Sequence, residues 1–95
     1  MIMEIETERT EARVVIRDDE LKTKHLRNFY LYKDSMSVSD LISWAFERAV
    51  KFQVSEILVV TNYGYGQSVA DTLRDYIRHS NLNIRVLDYR ELKLN

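Results

Sequence analysis

Ile57-Leu58-Val59-Val60 is an unbroken apolar run with an amphipathic segment on either side, and this arrangement limits the possible folds more than any other stretch of the chain. Apolar residues at successive positions of a short run read as a strand covered on both faces, and therefore as an interior strand of a parallel or mixed sheet. Before it, Val38, Leu41, Ile42, Ala45, Phe46, Ala49 and Val50 follow the i, i+3, i+4, i+7 spacing of one helical face. After it, Val69, Leu73, Tyr76 and Ile77 supply a second stripe of the same kind. Ser37 with Asp40 and Ser68 with Asp71 place an S-x-x-D sequence at each expected helix start, where a side-chain oxygen satisfies free N–H groups.

The N-terminal half has a different period. Val14 and Ile16 alternate with Arg13, Val15 and Arg17, the pattern of a half-buried strand over Glu11 to Asp18. Phe29, Tyr30, Leu31 and Tyr32 favour a second strand within Asn28 to Lys33, joined to the first through the polar turn Asp18 to His25. Met3 to Thr7 is compatible with a further strand, and Ile84, Val86 and Leu87 close the chain with another. The expected fold is a single small layered α/β domain over residues 1–95, of order β-β-α-β-α-β. Its sheet is mixed with a largely parallel core, and its crossovers are right-handed. Nothing divides it, since the chain holds only two Gly, no Pro and no low-complexity tract.

Charge and composition exclude several functions. With 14 basic and 15 acidic residues the formal net charge is −1, so no whole-molecule field draws the chain to nucleic acid or to an anionic membrane. The absence of cysteine excludes disulfides, thiolate metal sites and a cysteine nucleophile, and two separated histidines make a poor ligand set. We therefore expect no metal and no cofactor. Met1 to Thr10 lacks the apolar region of a signal peptide, and the run Ile57 to Val60 is too short to span a bilayer, so a cytoplasmic protein without membrane contact is expected.

The segment best placed for chemistry is Tyr63-Gly64-Tyr65-Gly66-Gln67-Ser68, between the carboxyl end of the apolar strand and a helix N-terminus. Ligands of open α/β sheets collect there, and exposed N–H groups at a helix start suit a phosphate or carboxylate. The stretch Gln67-Ser68-Val69-Ala70-Asp71-Thr72-Leu73 after an apolar strand resembles the strand-to-helix turn of STAS and STAS-like regulatory domains. That resemblance implies a non-catalytic protein-interaction switch, with Ser68 as the candidate phosphoacceptor. A plain helix-capping role for Ser68 is the alternative.

A further resemblance, carried by Arg13-Val14-Val15-Ile16-Arg17 and Ser37-Val38-Ser39-Asp40-Leu41-Ile42, is to ribbon-helix-helix DNA-binding proteins. It implies that Arg13, Val15 and Arg17 face DNA while Val14 and Ile16 face the core, with residues 19–33 as a first helix. Trp44 lies off the buried stripe of its helix and is expected to mark an interface. Lys22, Lys24, His25 and Arg27 form a local basic patch beside Asp18, Asp19 and Glu20, which largely cancel its field. The residues favour a non-catalytic regulatory or protein-interaction module, self-associating and with a protein partner. A DNA-binding regulator is the alternative, and a small anion- or nucleotide-binding protein the third reading.

Overall fold

The computed structural model describes residues 1–30, 38–61 and 65–92. Ser37, Tyr63 and Gly64, and the expected strand residues beyond Tyr30, lie outside them. Strands β1 (Ile2–Thr7), β2 (Glu11–Arg17) and β3 (Thr23–Tyr30) come first, followed by α1 (Val38–Lys51), β4 (Glu56–Val59), α2 (Gly66–His79) and β5 (Arg85–Asp88). The sheet order is β3-β2-β1-β4-β5. β1 is parallel to β4, and β4 to β5, while the β1–β2 and β2–β3 pairs are antiparallel. The fold is thus the expected small mixed α/β domain, with β1 as the additional strand in front.

β1 forms because Met3, Ile5 and Thr7 alternate inward against Ile2, Glu4 and Glu6, and its buried row aligns with that of its neighbours. Met3 sits opposite Ile16 and Ile57, and Ile5 opposite Val14 and Val59. On this face Leu41, Ile42, Ala45 and Ala49 of α1 and Val69, Ala70, Leu73 and Ile77 of α2 complete one apolar core. Phe46 meets Tyr76 edge to face at 5.5 Å, joining the helices. Val50, expected on the buried stripe, is instead exposed. Among the described residues no helix is long and apolar enough to cross a membrane.

The apolar run of β4 is covered on one face only, which corrects the expectation of burial on both. Ile57 and Val59 are buried, whereas Leu58 and Val60 are half-buried on the side away from the helices. That side carries the cross-strand row Leu26, Val15, Glu4, Leu58 and Leu87. Flanking charges pair across strands, Arg17 with Glu4 at 3.3 Å and Arg85 with Glu56 at 3.9 Å, as suits a sheet face open to water.

β3 begins inside the segment expected to be a turn, because the turn is shorter than its polar residues suggest. Asp18 Oδ1 accepts the N–H groups of Glu20 and Lys22, each at 2.9 Å, and closes the loop by residue 22. These bonds, that from Lys22 foremost, hold the Asp18 carboxyl below its usual range. Thr23, Lys24 and His25 then belong to an edge strand, whose polar side chains hide the alternation.

Both helices end in the same way despite the shortage of glycine. Gln53 (φ 53°) and Asn81 (φ 56°) take the left-handed conformation after α1 and α2. Val54 N–H then donates to Ala49 O at 2.9 Å, and Leu82 N–H to Ile77 O at 3.2 Å, satisfying end carbonyls of each helix. Replacing Gln53 by Gly relieves the side-chain clash of that conformation, and a gain of about 0.5–1 kcal/mol is expected, read as a raised melting temperature.

Beyond β5 a charged network fixes α2 to the sheet. Asp88, fully buried, accepts from Arg90 Nη2 at 2.7 Å and from Arg74 Nη2 at 3.2 Å, and Arg74 also donates to Glu91 at 2.6 Å. Arg90, with Arg74 helping, holds the Asp88 carboxyl far below the usual carboxylate range against the opposing effect of burial. A carboxyl whose folded pKa is depressed stabilises the fold above its unfolded pKa, about 3.9, and loses that contribution as pH falls toward the folded value. The melting-temperature gap between the wild type and Asp88→Asn is therefore expected to be full above about pH 5 and to narrow toward pH 2. A pH-independent gap excludes this role for the charge.

Candidate interaction site

The start of α2 is built as a packing joint. Thr7, at the end of β1, and Thr61, just after β4, interlock. Thr7 N–H donates to Thr61 Oγ1 at 3.0 Å, the two hydroxyl oxygens stand 3.1 Å apart, and the Thr61 hydroxyl donates to Thr7 O at 2.8 Å. α2 rests on this lock through Gly66, where a Cβ would lie 2.1 Å from the Thr61 carbonyl oxygen and 3.0 Å from Thr7 Oγ1. Only glycine lets the helix approach so closely.

This joint decides where the helix begins. Tyr65 occupies the N-cap position without a side-chain cap bond, so Ser68 falls inside the first turn and is exposed, contrary to the expectation that it caps the helix. Gln67 Nε2 donates to Asp71 Oδ1 at 3.0 Å, while Gln67 Oε1 and the Tyr65 hydroxyl are buried without a hydrogen-bond partner among the described residues. Burial pushes the Tyr65 hydroxyl pKa up.

The arrangement implied by the ribbon-helix-helix resemblance is not the one found. Residues 23–30, needed there within a first helix, form β3, and β2 is an interior strand paired on both sides. Arg13 and Arg17 do share the face away from the core, but Val15 between them is 4% exposed rather than open to a groove of DNA. Its cross-strand partners on that face are Glu4 and Leu26.

A different set of residues converges at the margin between β3 and α1. His25, Arg27 and Phe29 stand opposite Ile16, Val14 and Ala12, which places them on the helix-bearing face of the edge strand. Trp44, Arg48, Lys51 and Phe52 follow one another at helical spacing along α1 and past its end. His25, Arg27, Trp44, Arg48, Lys51 and Phe52, with the strand at Leu26 between the first two, line a groove of about 320 Å³. Phe29 is buried beneath it and meets Trp44 edge to face at 5.2 Å.

The cations of this groove are held by aromatic rings. Arg27 lies 4.7 Å from the centre of Phe29 and 5.2 Å from that of Trp44, and Arg48 lies 4.8 Å from Trp44. Lys51 stands 5.6 Å from the centre of Phe52, against which the His25 ring packs at 4.1 Å. The negative end of the α1 dipole accounts for basic residues in its last turn, but not for those on the strand. Among the described residues Arg27 and Lys51 form no salt bridge, and Arg48 reaches only the exposed Glu47 at 3.8 Å. Such a site offers fixed positive charge to an anion without first breaking an internal ion pair. The sequence carries both halves separately, Trp44 as an expected interface and His25 with Arg27 in a basic patch. The register of β3 is what unites them.

Among the described residues no group of three or more His, Cys, Asp or Glu is placed to hold a metal ion. No family model matches the chain, and no curated protein matches it. Among solved structures the chain is similar to the type II variant of the Aquifex aeolicus Ppx/GppA phosphatase, at 12% identity and a TM-score of 0.43, over 92% of this chain and 35% of that one. This chain thus spans about a third of that protein's length.

The joint at α2 generates a paired test. Gly66→Val forces a side chain into the Thr61 carbonyl and is expected to cost about 3 kcal/mol. Ser68→Ala touches no cap and should stay within about 0.5 kcal/mol of the wild type. Thermal melting of the two variants checks both, and an equal loss for Ser68→Ala refutes the assignment of the helix start.

Proposed function

We propose that this chain is a non-catalytic protein-interaction module whose contact surface is the groove between β3 and α1, engaged by an anionic partner. The supporting observation is that Arg27, Arg48 and Lys51 are set over aromatic rings at the rim of one groove with little carboxylate to neutralise them. The protein as a whole carries a formal charge of −1, so the attraction is local and its direction is set by this groove. Half-buried Trp44 contributes apolar area and a rigid ring, the usual composition of an energetic centre in an interface.

Trp44 is the sole tryptophan, so its fluorescence reports on the groove directly. Titration with poly-L-glutamate at low ionic strength is expected to change that fluorescence saturably, and the response should weaken as salt screens the charges. The double variant Arg27→Glu/Arg48→Glu should keep a cooperative melt and lose the response. An absent response, or one unchanged in the double variant, overturns the reading.

A further inference from the structure

Among the described residues β3 is an edge of the sheet, and residues 23–28 along it are exposed. An edge strand presents unpaired N–H and C=O groups to any extended segment that can lie beside it. The side chains of such a segment alternate between two faces, and the two faces here differ in chemistry. On the helix side an added strand meets His25 and Arg27, with Arg48 and Lys51 across the groove. On the other side it meets Leu26, which is 53% exposed.

Resting on the proposed interaction role, we infer that the groove receives an extended acidic segment of a partner protein, added to β3 as a sixth strand, with acidic residues facing the groove and apolar residues facing Leu26. Edge hydrogen bonds supply general affinity in strand addition, and alternate side chains supply the choice of partner. The same charges argue against a second copy of this chain as the occupant. Residues 23–30 include Lys24, His25 and Arg27 and no acidic residue, so antiparallel pairing of two β3 strands sets like charges together. An acidic strand reverses that sign at every such position.

The probe is a capped octapeptide of alternating Glu and Val, followed by Trp44 fluorescence and by the amide resonances of β3. Two analogues carry N-methyl groups, one on every Glu and one on every Val, each removing the hydrogen-bond donors of one edge of the peptide. Strand addition uses one edge, so the parent and one analogue are expected to bind alike while the other analogue weakens by about tenfold or more, equivalent to about 1.4 kcal/mol. Arg27→Glu/Arg48→Glu should weaken the parent comparably. Equal binding of both analogues overturns strand addition while leaving an anionic contact surface intact. Binding of a twelve-residue oligothymidylate without the peptide overturns the choice of partner, and failure of both peptide and poly-L-glutamate removes the underlying reading as well.

Discussion

β1 is hydrogen-bonded on one side to β2 and on the other to β4, and the two pairings differ in kind. The first is a local antiparallel hairpin. The second is parallel and joins residues some fifty positions apart, with Thr7 and Thr61 separated by 54 residues and locked through both backbone and hydroxyl groups. Loop-closure entropy opposes so distant a contact, and buried apolar rows must repay it. Met3 and Ile5, opposite Ile57 and Val59, supply those rows, and Gly66 lets α2 close over the seam.

Once that seam exists, the position of the groove follows. The chain leaves β3 at one edge and returns as β4 on the far side of β1, so α1 must cross the intervening strands. A single helix does not blanket them all. Its buried residues pack into the common core, and its Trp44, Arg48 and Lys51 side is left facing the outermost strand. The aromatic rings give the cationic side chains something to rest on, so among the described residues their charge persists at the surface with only the exposed Glu47 paired to Arg48.

The legible parts of this fold were those in which one periodicity dominates. The stripe from Val38 to Ala49 specifies a helix and the alternation at Val14 and Ile16 a strand with those two residues on its core side, and both elements are found. The run Ile57 to Val60 misled about its second face because apolar residues on an open sheet side can shelter among neighbours, as Val15 does at 4% exposure. Ser68 misled because a local cap signal yielded to a tertiary one: the helix begins where glycine fits the Thr61 carbonyl. The groove was half visible, its residues present in the sequence and its register absent, since only pairing with β2 turns His25 and Arg27 toward α1.

Under the proposed reading, the basic edge has two effects from a single cause. A strand edge is hazardous in proportion to how readily it pairs with its own kind, and concentrated charge of one sign is a common protection. Protection by one sign is asymmetric, however, because repulsion from an identical strand becomes attraction toward a complementary one. Lys24 is partly tied to Asp18 at 3.6 Å and contributes less to this balance. His25 and Arg27 face the groove, where Arg48 and Lys51 add to them, so the sign is strongest on the helix side of the edge. Charge alone would attract any anion; it is the junction of that charge with an open edge and an apolar Leu26 on the opposite face that favours an extended, alternating polypeptide over a compact one.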